Sequence, residues 1–234
     1  MNHKAVFTLI FLSISLTEII GDLSSNKIIV YVSKPLILIS IIIYARLTGT
    51  ERDVRGVPYF YTGLFFALLG DVFLMIREKD LFIPGLASFL GMQIFYAYSF
   101  YLDHRQKLAS TFATARLVPF MVFALIFFMV LQPHLPGIAM KIAVGIYATS
   151  ISVMTWMSLL RKDHVPSQSF VLVFVGAMFF MISDTIIAID KFMAPVPFTT
   201  IWVMSTYCLA QYLITIGFLK TKQTGLHPSV SNKK

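Results

Sequence analysis

The sequence is poor in charge and almost free of cysteine. Only 13% of its 234 residues are Asp, Glu, Lys or Arg, about half the share found in an average soluble domain. The single cysteine, Cys208, lies inside an apolar run, so no intrachain disulfide framework is possible. No Walker loop, GxGxxG turn or zinc-type Cys/His spacing occurs, and nucleotide binding and structural zinc lose their usual signatures. The five histidines, His3, His104, His134, His164 and His227, fall in connecting segments or near the ends. A membrane-embedded histidine metal centre has no support from them, and the expected metal complement is none. Acidic residues number 11 against 19 basic ones, a net charge of +8. That balance invites a polyanionic partner. The basic residues, however, sit in short segments between apolar runs and build no continuous patch, so nucleic acid is excluded as a partner.

What the chain does have is apolar length. It is 57% hydrophobic, with a mean hydropathy of +0.79. A spanning helix needs about 20 mostly apolar residues, and eight such runs can be drawn, at 5–21, 28–45, 57–76, 81–102, 116–132, 138–160, 170–190 and 199–219. The fold class is therefore all-α: a polytopic transmembrane bundle of about eight helices, in one domain over 1–220 with a polar tail at 221–234. The first run is short and carries Glu18. Lys4 ahead of it gives it the look of a signal peptide, but no small-x-small cleavage site follows, so it is read as a helix. Pro133, Pro136 and Gly137 turn the fifth run into the sixth, and Pro195 and Pro197 separate the seventh from the eighth.

The basic residues set an orientation. Thirteen Lys/Arg fall on the side that carries the N-terminus, the 46–56, 103–116 and 161–169 segments and the tail, against five on the other side. Under the positive-inside rule both termini are cytoplasmic, which requires an even number of crossings. A weak internal repeat is visible as well. The third and seventh runs share Gly-x7-Asp, as Gly63/Asp71 and Gly176/Asp184, and the next run in each case carries a glutamine, Gln93 or Gln211.

The polar residues inside these runs are the candidates for function. A charge at the bilayer centre costs roughly 2.5–3.5 kcal/mol on insertion scales and needs a partner or a wet cavity. Gly63, Ala67, Gly70 and Asp71 share one helical face, as do Gly176, Ser183 and Asp184. Small residues on such a face admit a close neighbour, so both aspartates point into the bundle. At about 1.5 Å per residue, Lys34, Asp71 and Asp184 all lie about 7–9 Å below the non-cytoplasmic boundary. Glu18 is near the same level, close enough to its helix end that a snorkelling position is the expectation. Lys34 divides between snorkelling and pairing. Gln93 and Gln211 lie deeper, where an amide serves either as interhelical glue or as part of a site. Tyr96 and Tyr207 are placed to line the same cavity.

Taken together, Lys34-Pro35-Leu36, Gly70-Asp71-Val72-Phe73-Leu74, Phe82, Gly85, Phe89, Gly91 and Tyr96 form an ordered set. Gly176-Ala177, Phe180, Ser183-Asp184, Ala188, Phe192, Tyr207, Ala210-Gln211 and Ile214 continue it. With these residues the chain resembles the YhhN-type lysoplasmalogenase family of integral membrane proteins, from about residue 30 to 218. The resemblance implies hydrolysis of the vinyl ether bond of a lysophospholipid that reaches the site from the membrane. The products would be a fatty aldehyde and a glycerophospho-alcohol, and no cofactor is implied. Asp71 and Asp184 would be the acid/base pair, since vinyl ether cleavage needs a proton donor and a carboxylate, as glycosidases do. Lys34, Gln93, Tyr96, Ser183, Tyr207 and Gln211 would contact the substrate, with Lys34 balancing the carboxylates or holding the phosphate. One position departs from the family pattern: Gln93 stands where a histidine usually follows Phe89-Leu90-Gly91, and glutamine does not titrate.

The residues alone leave a second reading open, a proton- or ion-coupled transporter with a buried Asp/Lys site. The charged layer lies towards one face rather than at the midplane, which favours the hydrolase. A bacterial inner membrane is the first expectation for location and the endoplasmic reticulum the second.

Overall fold

A computed structural model describes residues 3–48, 56–76, 78–103 and 111–223. Those residues form eight helices and no strand: α1 (His3–Leu23), α2 (Lys27–Thr48), α3 (Val57–Met75), α4 (Phe82–Asp103), α5 (Thr111–Leu131), α6 (Gly137–Leu160), α7 (Ser167–Phe192) and α8 (Thr199–Gln223). A short 3-10 turn, Gln132–His134, links α5 to α6. The helix-rich outcome follows from the solvent. In hydrocarbon every backbone N–H and C=O must be satisfied within its own segment. The largest departure from the sequence expectation is α5, which begins at Thr111 rather than 116. Of the polar tail expected at 221–234, the first three residues continue α8, and 224–234 lie outside the described residues.

Seven of the helices are long and apolar enough to cross a membrane, and the protein is an integral multi-pass membrane protein. The remaining one, α4, is diluted by Gln93, Asp103 and its tyrosines. It nevertheless runs antiparallel to α3 along its whole length. A Cβ on Gly63 would meet the Tyr96 ring, one on Gly70 the Phe89 ring, one on Gly91 the Phe66 ring and one on Gly85 the Leu74 side chain. Each glycine is thus a hole filled by a large side chain of the partner helix, the small-residue packing that membrane helices use. The pair α7/α8 is built the same way: Gly176 abuts Ala210 and Ile214, and Gly217 abuts Leu172 and Val173. Both Gly-x7-Asp helices therefore pack closely on the helix that follows them.

The start of α1 and the far end of α8 lie at one end of the bundle. Thr8 and Tyr212 share a hydrogen bond of 2.7 Å, and Phe7 stacks on Tyr44 at 3.9 Å. Ser99 donates to the Gly56 carbonyl at 2.8 Å. A buried arginine locks this end. Arg161 Nε donates to Asp103 at 3.1 Å and its guanidinium to Ser169 at 3.0 Å, while Ser169 donates to the Gly217 carbonyl at 2.6 Å. Burial pulls the Arg161 pKa below its ordinary value and Asp103 acts against that pull; a guanidinium stays charged through such shifts. At the opposite end Thr200 donates to Asp22 at 2.5 Å, Lys27 pairs with Glu78 at 2.6 Å, and Asp190 accepts from Val196 N–H at 2.8 Å and from the Thr199 hydroxyl at 2.7 Å, closing the α7/α8 turn. Gly137 opens α6 at φ +68°, a left-handed conformation that glycine adopts without a Cβ clash.

The core runs through the centre of all these pairings, and its polar members matter most for function. Glu18, Gln93, Ser183 and Gln211 have no exposed surface and Asp71 has 3%. Outward-facing residues such as Leu9, Leu16, Ile43, Ile94, Leu125 and Ile146 are half or more exposed, the apolar coat that lipid requires.

Candidate functional site

Two carboxylates organise the interior, and they occupy different surroundings. Asp71 comes from the small-residue face of α3 and is enclosed between α1, α2 and α8. The Tyr207 hydroxyl of α8 donates to its Oδ2 at 2.8 Å. Lys34 and Glu18 lie close enough to act on its charge. Lys34 Nζ is 3.6 Å from Glu18 Oε1, with the lysine side chain 16% and the glutamate 1% exposed. This corrects the expectation for Glu18, which does not snorkel to the interface. Phe7, Phe11, Ser15 and Glu18 are the buried stripe of α1, and a residue on that stripe faces the bundle whatever its distance from the helix end. Lys34 takes the paired alternative. This cell therefore holds two carboxyl groups, one ammonium and one phenol, drawn from four helices.

Asp184 opens instead on a cleft. The Tyr147 hydroxyl of α6 donates to its Oδ2 in a short contact. The cleft contains about 670 Å³ of empty space, part of it open to the surroundings, and runs between α4, α5, α6 and α7. Its walls are Phe82, Phe89, Phe123, Phe127, Ile151 and Phe192 among other apolar side chains, so that Asp184, Tyr147 and Thr185 are its polar members. A concave apolar site with a few convergent polar groups is the usual form of a small-molecule pocket. Against Tyr147 lies Gln93 of α4. Its amide is fully buried, and neither its nitrogen nor its oxygen makes a hydrogen bond of ordinary geometry with the protein. An unsatisfied buried amide costs roughly 1–3 kcal/mol, so a polar guest at this spot, a water or a substrate oxygen, is favoured.

Phe89 touches both regions. Its ring lines the cleft, fills the hole above Gly70, and lies 6.0 Å from the Tyr207 ring, centroid to centroid. The residue that precedes Asp71 and the phenol that binds Asp71 thus share one aromatic wall with the Asp184 cleft.

The structure brings the other sequence candidates together only in part. Tyr96 donates to Gln211 Oε1 at 3.0 Å, and the Gln211 amide reaches the Met92 sulfur at 3.4 Å. This pair ties α4 to α8 nearer the terminal end, stacked on Phe60, and makes no recorded bond to either aspartate. The Ser183 hydroxyl is spent on the Val203 carbonyl at 3.1 Å, a tie between α7 and α8. Tyr147 was not a candidate from sequence. Its signal was the run of small and polar residues Ala148, Ser152 and Thr155, all buried, which marks the inward side of α6.

The profile of the YhhN family matches residues 29–218. Among curated proteins, the chain is similar to "Lysoplasmalogenase TMEM86A" of Homo sapiens, 33% identical over 177 residues, covering 71% of this chain and 68% of the relative. It is 30% identical to the Bos taurus protein of the same name, over 70% of this chain and 66% of the relative. Similarity to "Lysoplasmalogenase TMEM86B" of Sus scrofa is 27% over 79% of this chain and 73% of the relative. No solved structure matches the chain. With the family profile covering most of its length and its helices, the chain belongs to the YhhN family.

Proposed function

We propose that the protein hydrolyses the vinyl ether bond of lysoplasmalogens, releasing a fatty aldehyde and a glycerophospho-alcohol. The observation that carries this reading is a carboxyl group, Asp184, at the wall of a cleft lined almost wholly by apolar side chains and partly open to the surroundings. The relatives named lysoplasmalogenase supply the substrate class. A one-chain lipid can slide into such a cleft sideways from the bilayer, and only a few polar atoms are needed at its reactive end.

The chemistry requires little more. The protonated Asp184 carboxyl gives its proton to the β-carbon of the alkenyl ether, and the α-carbon becomes an oxocarbenium ion. Water adds to that carbon and loses a proton to the Asp184 carboxylate. The resulting hemiacetal breaks its C–O bond to give the aldehyde and the free glycerol hydroxyl. Overall one water is consumed and one C–O bond is cut. Tyr147 fixes the carboxyl orientation through its hydrogen bond. The unsatisfied Gln93 amide beside Tyr147 holds the water; its donor and acceptor suit that task, and a titrating group at this position is not needed. Asp71 is the second carboxyl. With Glu18 and Lys34 its cell has a surplus of acidic groups, and from behind the Phe89 ring a negative field stabilises the passing cation. Electrostatic support of this kind is strong in a water-poor site. Tyr207 positions Asp71, while Tyr96, Gln211 and Ser183 hold the helices that carry the site.

The terminal end, with the larger share of Lys and Arg, faces the cytoplasm on this reading. The cleft and its aspartate then lie towards the opposite leaflet.

The test is aldehyde release. Purified protein in detergent is given a 1-alkenyl lysophosphatidylethanolamine or its saturated 1-alkyl counterpart. Aldehyde is expected from the alkenyl lipid alone, with loss in Asp184→Asn and Asp71→Asn. A well-folded wild type that yields no aldehyde across pH and headgroups would overturn the assignment.

A further inference from the structure

The cleft at Asp184 does not end in a blank wall. Phe82 and Phe192 also line a second hollow, of about 730 Å³ including space open to the surroundings, at the non-terminal end of the bundle. Its other members include Asp80, His134, Met140 and Lys191. The two hollows thus share an aromatic pair, Phe82 and Phe192, whose rings sit edge to face at 5.6 Å and 78°. Lys191 Nζ lies 4.3 Å from the Phe82 ring centroid and 5.9 Å from that of Phe192. The ammonium is therefore held at the junction, against the aromatic pair, while its residue stays exposed.

Spacing along α7 links the junction to the reacting group. Asp184, Ala188 and Lys191 stand at i, i+4 and i+7 and so share a face, and Ala188 lines the cleft between them. Seven residues at about 1.5 Å each separate Asp184 from Lys191 by about 10 Å along the axis. In a lysophospholipid the phosphate follows the ether oxygen by the three carbons of glycerol, and a lysine side chain bridges what remains. The charges in the hollow are of both signs: Lys191, with His134 as a further donor, and Asp80. A simple anion would meet Asp80 unfavourably. A zwitterionic headgroup would satisfy both, phosphate on Lys191 and ammonium on Asp80. Lys34, for which the resemblance offers phosphate binding as one of two roles, is engaged by Glu18 at 3.6 Å and lines neither hollow.

We infer that Lys191, at the Phe82/Phe192 junction, is the phosphate-binding group for a zwitterionic lysophospholipid whose chain lies in the Asp184 cleft. The inference rests on the lipid substrate proposed above. It fixes the direction of the lipid: headgroup in the Asp80/His134/Lys191 hollow, ether bond at Asp184, chain among Phe123, Phe127 and Ile151.

The experiment is a binding measurement that needs no turnover. The probes are 1-alkyl lysophosphatidylethanolamine, which has no vinyl ether to cleave, and the matching 1-alkylglycerol, which lacks phosphate and ammonium. Both are titrated against the detergent-purified full chain and against Lys191→Ala and Lys191→Glu. Lys162→Glu at the other end is the control of equal charge change. The wild type is expected to prefer the phospholipid. Lys191→Glu should weaken it by about tenfold or more, the scale of one charge-assisted hydrogen bond, and leave alkylglycerol binding unchanged. Lys162→Glu should change neither. A wild type without preference, a preference that survives Lys191→Glu, or an equal loss in Lys162→Glu would overturn the inference. Aldehyde release by the wild type, read separately, reports on the hydrolase assignment itself.

Discussion

Asp71 and Asp184 have the same local sequence pattern and opposite surroundings. Each follows a glycine by eight residues, on a helix that packs closely on its successor. Asp71 is enclosed by Tyr207, Lys34 and Glu18, with 3% of its surface exposed. Asp184 has Tyr147 as its recorded partner and an apolar cleft in front of it. The difference comes from the helices opposite. α1, α2 and α8 bring polar side chains to α3, whereas α4, α5 and α6 bring mainly phenylalanine and aliphatic residues to the Asp184 side of α7. A helical motif fixes which way a carboxylate points, and its neighbours decide whether it is held in a charge network or presented to a guest.

Several substitutions break or sharpen this contrast. The largest effect is expected from Asp184→Asn, which keeps shape and removes the proton donor: aldehyde release should fall by about 10²–10⁴-fold, the usual worth of a general acid, with little change in the melting temperature. The Asp71 side answers in stability. Lys34→Met leaves Glu18 and Asp71 without their cation and should cost about 3–5 kcal/mol in unfolding measured in detergent, as broken buried pairs do. The double variant Lys34→Met/Glu18→Gln should recover much of that loss. Gly70→Ala tests the shared wall. A Cβ there would stand 2.7 Å from the Phe89 ring, so overpacking of about 1–3 kcal/mol is expected, together with a higher KM as the ring is pushed into the cleft. Tyr147→Phe removes one hydrogen bond of about 0.5–1.5 kcal/mol and should lower kcat a few-fold while KM holds.

The smallest effect belongs to a carboxylate outside the membrane. Hydrogen bonds from Lys27 and Tyr31 hold Glu78 at about 2, below the ordinary 4.5. A lowered value means that the charged form is the one favoured by folding. Its contribution is full above about 4.5 and disappears as the pH falls through about 2. The pair is solvent-exposed, at 68% for Lys27 and 45% for Glu78, so screening keeps the effect small. Glu78→Gln should differ slightly in melting temperature from wild type at neutral pH and low salt, and the difference should close in high salt or strong acid.

Much of this architecture was legible in the sequence because the bilayer imposes a coarse rule. Apolar runs of spanning length gave all eight helices, and small residues at helical spacing gave the inward faces of α3 and α7. The same logic applied to Phe7, Phe11, Ser15 and Glu18 would have buried Glu18; its nearness to a helix end outweighed a stripe that was there to be read. Tyr147 was harder. Tyrosine is common at membrane interfaces and in packing, and only its neighbours Ala148, Ser152 and Thr155 mark its side of the helix. The division into two carboxylate cells was not legible at all, since it depends on which helices stand opposite one another. Gln93 and Gln211 read alike in the sequence, as interhelical glue or as part of a site; Gln211 accepts from Tyr96, whereas the buried Gln93 amide lies beside Tyr147 without a hydrogen bond of ordinary geometry.

The central claim is that the lipid chain occupies the Asp184 cleft and not the Asp71 cell. A 1-alkyl lysophosphatidylethanolamine with a diazirine in mid-chain tests it directly, by photolabelling the full-length protein and mapping the labelled peptides. Label on the cleft-lining stretches of α5, α6 and α7, around Phe123, Phe127, Ile151 and Met181, competed by unlabelled lipid, is the predicted result. Competed label confined to α1, α2 or α8, around Glu18, Lys34 and Tyr207, would contradict it.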